Sequence, residues 1–227
     1  MKTIFFTFFA IAFNLLAAHA HAEESSTSDP YAFSGGQWTQ GLHLMAGLGA
    51  NTAYFEAPGV NKEAGIGLNI ETNVSYSFLN DFALELSTNV MFNRVKRLLI
   101  WNTLGTVGIR FRLPSDLAPS QSYPYMRLAA GRGPTVFIFK GQKPDSLEVG
   151  GDRTQVEGDI VSVAYGFFQN ARDGMTWFLE FGATVNSYRK IEAIKDRKDV
   201  PEVQYSANVS NDSAMYALTL TFGVVVF

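Results

Sequence analysis

The chain has 227 residues, a formal net charge of −3 and no cysteine. Those figures exclude a disulfide framework, a lipoprotein anchored through a lipidated thiol, and the basic field that nucleic acid requires. Glycine contributes 20 residues and aromatic side chains 14% of the chain, a balance suited to closely packed strands rather than to disorder.

The first 22 residues have the layout of a secretory signal peptide. Lys2 gives a positive start, Ile4 to Ala18 is apolar apart from Thr7 and Asn14, and Ala18-His19-Ala20 and Ala20-His21-Ala22 offer small residues at a cleavage site. The expected division is a cleaved signal at 1–22, a flexible periplasmic leader at 23–38 with its ESSTSDP and SGG stretches, and a barrel at 39–227. Losing Lys2 with the signal takes the net charge from −3 to −4.

Strands follow in series. Thr39 to Phe55 alternates Leu42, Leu44, Ala46 and Leu48 with Gly41, His43, Gly47, Gly49 and Asn51. Ile66 to Phe78 sets Ile66, Leu68, Ile70, Val74, Tyr76 and Phe78 against Gly67, Asn69, Glu71, Asn73, Ser75 and Ser77. A period of two over that length is a long strand with one apolar and one polar face. After the turn signal "LND" the pattern resumes from Phe82 to Asn93, which predicts a hairpin. Trp101 to Leu113 is a fourth strand. Tyr125 to Phe139 is a fifth, with a bulge expected at "GRGP", Gly131 to Pro134, that would turn Arg132 inward. Glu157 to Gln169, apolar on both faces in its middle, Met175 to Tyr188 and Ser213 to Phe227 complete eight.

The predicted fold is all-β: an eight-stranded antiparallel up-and-down transmembrane β-barrel with short periplasmic turns and longer extracellular loops. The strands exceed the 9 to 11 or so residues that cross a bilayer at a tilt, and an even count places both ends of the barrel on the short-turn rim. Links at Leu79 to Asp81 and Asn170 to Gly174 are short, whereas Lys140 to Val156 and Arg189 to Asp212 are long and charged. Pro114 to Pro124 is long for a periplasmic turn, and Val95 to Leu99 is short for an outer loop.

With these strands in place the chain resembles the small eight-stranded outer-membrane barrels of the OmpX, OmpW and OmpA-barrel type. The features that carry the likeness are the signal, the strand count, the segment "YPYMRLAAGRGP" and the terminal aromatic Phe227. The resemblance implies an outer-membrane location in a Gram-negative bacterium. It also implies that Phe227 is read by the barrel-assembly machinery, although Leu218, Leu220, Phe222, Val224 and Val226 form the stronger phase and Phe227 is out of step with them. The alternative for Phe227 is the end of an ordinary core strand. A soluble lipocalin-like barrel is the rival fold, carried by the Gly-x-Trp of "GGQW". It fits less well, because eight strands enclose little more than side chains. The small polar face suits the inside here, and the bulky apolar face suits lipid.

The polar phase holds Glu71, Glu85 and Glu180 with Arg110, Arg112 and Arg127, and His43 on the first strand. Counted from the short turns, Glu85, Arg110, Arg127 and Glu180 share one depth, which predicts a lumen charge layer with Glu85 and Glu180 facing the two arginines. Two readings stand: a structural plug, or a gated polar path for protons or small ions. His43 is expected beside this layer rather than as a base. The mature chain holds no second histidine and no His-x-Ser pair, so no catalytic residues, no cofactor and no metal set are predicted, and the chain is not expected to be an enzyme.

Outside the lumen, Arg94, Lys96, Arg97, Arg189 and Lys190 are candidate contacts for the phosphates of lipopolysaccharide, against the simpler reading of solvated loop charge. Trp101, Trp177, Tyr125 and Tyr216 are candidates for the aromatic girdles. Phe137, Phe139, Val161 and Val163 are expected to form an inward apolar patch in the outer half. The expected role is structural or surface-interacting through the outer loops. The alternatives are a narrow passage or pocket for a small, apolar solute and, third, a lipid-modifying enzyme. The expected partners are outer-membrane lipid, lipopolysaccharide and the assembly machinery, with no nucleic acid, and the chain is expected to be a monomer.

Overall fold

The structure, a computed structural model, describes residues 41–57, 60–79, 81–95, 98–113, 122–139, 153–170, 176–196, 201–209 and 213–225. The signal and leader expected at 1–38, Lys96, Arg97 and Phe227 lie outside the described residues.

Long strands form wherever the sequence alternates. They are β1 (Gly41–Ala57), β2 (Val60–Leu79), β3 (Phe82–Val95), β4 (Leu98–Arg112), β5 (Ser122–Phe139), β6 (Arg153–Asn170), β7 (Thr176–Asp196), β8 (Pro201–Asn208) and β9 (Ala214–Val225). Each of β1 to β7 pairs antiparallel with its chain neighbour, β7 also pairs with β9, and β9 pairs with β1. These pairings close an eight-stranded antiparallel barrel and remove the open edges a sheet would otherwise present.

The alternation sorts side chains in a sense opposite to that of a soluble protein. Ile66 and Leu68 on the outer wall are 78% and 67% exposed, while Asn69 between β2's apolar positions is 0% exposed. Leu84, Leu86, Val107, Phe181, Leu218 and Phe222 continue the apolar wall around the barrel. An apolar surface this continuous needs an apolar surrounding. Among the described residues no helix is long and apolar enough to cross a membrane, and the strands themselves supply the spanning structure.

Three local features differ from the sequence reading. First, a ninth strand, β8, lies within the stretch 189–212 expected to be loop, and β7 runs on to Asp196 to pair with it. The run "YRKIEAIKDRKD" is too charged to read as a strand, yet its Ile191 packs against the apolar cluster of the interior while the backbone continues the β7 ladder. Second, the register between β5 and both of its neighbours runs unbroken past Gly131 to Pro134, so there is no bulge there. Gly131 and Gly133 serve close approach instead: a Cβ on either would collide with the carbonyl oxygen of Gly105 or Thr103 on β4. The register shifts fall at Phe55/Ala57, Ser77/Leu79, Glu157/Gly158 and Ala193/Ile194. Third, Val161 and Val163 face outward. β6 is apolar on both faces there, so alternation alone does not fix its phase, and Val156 and Ile160 take the inward places beside Phe137.

The interior is stratified. Toward the long-loop rim Phe55, Met91, Val95, Ile100, Phe137, Val156 and Met215 pack into one apolar cluster. Toward the short-turn rim Met45, Tyr123, Tyr125, Phe168 and Phe178 form a second. Buried charges and amides lie on the same inward faces.

Candidate functional site

Each charged residue of the lumen sits on the inward phase of a different strand or strand position: Glu71 on β2, Glu85 on β3, Arg110 on β4, Arg127 on β5 and Glu180 on β7. All five are buried, with Arg110 and Glu180 each 2% exposed. Arg110 and Arg127 are direct cross-strand partners, an arrangement of like charges that is unfavourable by itself. The carboxylates compensate. Arg127 Nη1 binds Glu71 Oε1, lies 3.0 Å from Glu85 Oε1, and Nη2 lies 2.7 Å from Glu180 Oε1. Arg110 Nη2 is 2.7 Å from Glu85 Oε2 and 4.0 Å from Glu180 Oε2. Glu85 therefore bridges both arginines, and Arg127 ties together carboxylates from three strands.

The aromatic floor completes the layer. Tyr125 donates its hydroxyl hydrogen bond to Glu180 Oε2 at 2.9 Å. The Arg110 guanidinium carbon lies 4.8 Å from the Tyr125 ring centroid and 5.4 Å from that of Phe168, and Arg110 Nη1 donates to Met45 Sδ at 2.8 Å. Arginine suits this place because its planar fork meets several carboxylates while its face stacks on rings.

Space for the layer is made by glycine. The residue paired with Glu71 is Gly47, with Glu85 Gly108, and with Glu180 Gly166. A Cβ on Gly166 would run into the Tyr125 ring, and one on Gly47 would come 2.7 Å from Thr221 Cγ2 and 3.0 Å from Phe178 Cζ. Glycine opposite each glutamate is the sequence signal that identifies the layer once the register is known.

Above the layer, hydroxyl and amide side chains are interleaved with the apolar cluster of the long-loop half. Ser87 and Thr106 share a hydrogen bond of 2.6 Å, Asn69 Nδ2 donates to Thr221 Oγ1 at 2.9 Å, and Asn93 Nδ2 donates to Asn51 Oδ1. Thr135 Oγ1 donates to Asn102 Oδ1 at 2.6 Å and accepts from Tyr188 at 3.3 Å.

The other predicted residues fall in distinct places. Arg112 stands outside the layer at the short-turn rim: its side chain is 28% exposed, lies 3.9 Å from Asp81 Oδ1 and covers the Tyr123 ring. It is on the inward phase but one inward position closer to the turn than Arg110, where Asp81 is within reach. His43 is half-buried, paired across the strands with Ser75 toward the same rim. Tyr125 does not belong to an aromatic girdle, because the phase of β5 turns it into the lumen, where it is wholly buried on Glu180. Trp101 and Tyr216 are outward, 45% and 51% exposed, in the half of the wall nearer the long-loop rim, with Phe92 and Tyr54 beside them. Trp177 is outward near the short-turn end, its ring 5.6 Å from that of Phe222.

Arg94 is exposed at the long-loop end of β3. Arg189 binds Asp159 Oδ2, and Lys190 binds Glu192. Sequence reasoning missed Asp159, the partner of Arg189, and with it Arg132, which is kept outward by the unshifted register and donates from Nε to Asp159 Oδ1 at 2.9 Å. The signal was available in the plain alternation of β5.

Strand number, closure and the inverted distribution of side chains decide the architecture. The chain has the fold of the small eight-stranded outer-membrane barrels. Neisserial surface protein A superposes with a TM-score of 0.50 at 11% identity, over 82% of this chain and 99% of that one. OprG from Pseudomonas aeruginosa gives 0.45 at 13% identity, covering 82% and 98%, and Ail of Yersinia pestis gives 0.43 at 15%, covering 82% and 99%. Identities this low concern fold alone. No family model matches the chain, and no curated protein matches it in sequence.

Proposed function

We propose that the protein is an outer-membrane barrel with a closed lumen, acting as a structural or surface-interaction element through its long-loop rim. In this reading the chain is exported in a Gram-negative bacterium, loses residues 1–22 and is inserted by the barrel-assembly machinery. The observation that carries it is Arg127, which holds three carboxylates from three strands across the barrel interior. A cross-link of that kind supports a lumen closed to a continuous polar path, and the apolar packing above it supports closure rather than the passage of a small apolar solute. Function then falls to the rim, where the β7–β8 hairpin extends the sheet past the apolar wall.

Arg94, Arg189 and Lys190, with Lys96 and Arg97 close to Arg94 in sequence, offer cations to the phosphates of lipopolysaccharide at that rim. The reading assigns no catalysis, because His43 lies toward the short-turn end, away from the outer rim where a lipid headgroup would be met. Planar-bilayer recording of the purified barrel tests the central claim. No steady conductance is expected. A large, steady conductance would move solute passage to first place, and recovery of the protein from soluble periplasm would remove the membrane reading altogether.

A further inference from the structure

Charge appears on the outer wall directly beside its apolar surface. Arg132, Asp159 and Ser187 are successive cross-strand partners on β5, β6 and β7, and all three face outward. The next outward row toward the short-turn rim is Ala130, Val161, Val185 and Tyr216, again successive partners. Apart from the tyrosine hydroxyl that row is apolar, and it faces away from the lumen. The charged row therefore stands at the edge of the surface that needs lipid.

Two guanidiniums share one carboxylate there. Arg132 donates from Nε to Asp159 Oδ1 at 2.9 Å, and Arg189 binds Oδ2 through Nη2. A bulge brings Arg189 into place. Gly158 pairs with Tyr188 and Glu157 with Lys190, which leaves Arg189 as the extra residue of β7. Its carbonyl accepts from Val209 N at 2.8 Å. Bulges re-aim side chains. This one keeps Tyr188 and Ile191 inward and puts Arg189 and Lys190, adjacent in sequence, both on the outside.

The charges do not cancel. Further up the same wall Arg153, Glu157, Lys190 and Glu192 balance to zero, and Lys190 is held by Glu192. One positive charge is left over where Arg132 and Arg189 meet Asp159. Arg132 spends only Nε on that carboxylate. Among the described residues no carboxylate takes its two Nη groups. A guanidinium fixed at one nitrogen and open at the others is a directed donor for a phosphate oxygen. A free anion could use those donors but would gain nothing from the apolar row beneath them. A phosphate carried on acyl chains uses both.

We propose that Arg132 and Arg189, held together by Asp159, bind the phosphate of one outer-leaflet glycolipid of the lipopolysaccharide class, whose acyl chains lie on the row of Ala130, Val161 and Val185. This rests on the outer-membrane reading and concentrates its lipid contacts in a single site on the wall, with Arg132 as the principal anchor. The two fail separately. Recovery from soluble periplasm removes the membrane reading, whereas loss of the site leaves the barrel in the membrane.

Native mass spectrometry of the purified barrel in detergent micelles tests the site. The probes are a diphosphorylated lipid A and the same lipid stripped of its phosphates. Both arginines are exposed, so Arg132→Gln and Arg189→Gln are expected to fold. Each is expected to weaken binding of the phosphorylated lipid by about tenfold or more, the loss of a hydrogen-bonded ion contact. The stripped lipid is expected to bind the unmutated protein as weakly. Arg112→Gln, which removes an equal charge at the other rim, is expected to leave the affinity unchanged. Arg94→Gln is expected to lose less than Arg132→Gln. Equal losses in Arg94→Gln and Arg132→Gln overturn the proposal in favour of diffuse rim charge. Equal binding of the two lipids overturns it in favour of acyl adhesion. Displacement of the phosphorylated lipid by inorganic phosphate at comparable concentration also overturns it, because the site would then recognise a free anion. Unchanged affinity in both Arg132→Gln and Arg189→Gln removes the site altogether.

Discussion

The barrel uses arginine–carboxylate pairs in two regions, and the pairs do opposite things. Inside, Arg127 is 6% exposed and has no alternative to its three glutamates. Outside, Arg132 has a side chain 81% exposed and meets Asp159, which Arg189 also binds. The two arginines lie five positions apart on one strand, so an odd interval in a period-two structure sends them to opposite faces. The chemistry of the pair is the same. Its energetic weight is set by which side of the wall it occupies.

The largest expected effect of breaking that contrast is at Arg127. Arg127→Ala removes the group shared by Glu71, Glu85 and Glu180 and leaves buried carboxylates without their partner, a loss of about 3 to 5 kcal/mol. Arg110→Ala acts in the same way through Glu85. Urea unfolding in liposomes measures both. Midpoints within error of the unmutated protein would show that the carboxylates reach water through the lumen.

A smaller effect is expected from the glycines that admit the layer. Gly166→Ala drives a methyl group into the Tyr125 ring and to 2.8 Å from the Leu179 carbonyl oxygen, and overpacking of this kind costs about 1 to 3 kcal/mol. Gly105 is the control, because a Cβ there meets only the Arg132 carbonyl oxygen, at 3.6 Å. Gly105→Ala is expected to leave the midpoint unchanged or raise it by up to about 1 kcal/mol. Equal behaviour of the two variants would mean that Tyr125 moves aside without loss and that Glu180 does not depend on it.

These residues also show what alternation does and does not reveal. Period two identified the inward faces of β2, β3, β4 and β7 directly, and with them Glu71, Glu85, Arg110 and Glu180. Depth counted from the short turns grouped Glu85, Arg110, Arg127 and Glu180 but left out Glu71, which joins them through Arg127, while Arg112 on the same phase lies one inward position nearer the turn and meets Asp81 instead. Tyr125 was misread because tyrosine suits both an interface belt and a lumen, and only the phase shared with Arg127 separates the two. β6 carries no phase information where both faces are apolar, which is why Val161 and Val163 were assigned inward. The β7–β8 hairpin was overlooked although Val203, Tyr205 and Ala207 alternate with Glu202, Gln204, Ser206 and Asn208, because the charged run before them reads as loop. The glycines opposite the glutamates were legible only through register, which long-range pairing sets and the local sequence does not.

The smallest effect is expected at Arg132, and it locates the upper boundary of the lipid. Arg132 pairs with Gly105, two outward positions nearer the short-turn rim than Trp101. If hydrocarbon reached as high as Trp101 all around the barrel, Arg132 and Asp159 would stand in it, and removing one of them would leave an unpaired charge against lipid. The long stem of arginine argues the other way: the guanidinium reaches upward toward the headgroups while its methylenes stay on the wall. Asp159 then meets Arg189 from the far side. Arg132→Ala is therefore expected to shift stability by no more than about 1 kcal/mol, as for other exposed pairs. The shift should shrink further in high salt, which screens an exposed pair and leaves a buried one unaffected. A loss matching that of Arg127→Ala and insensitive to salt would place the lipid boundary above Arg132 on the β5–β7 side.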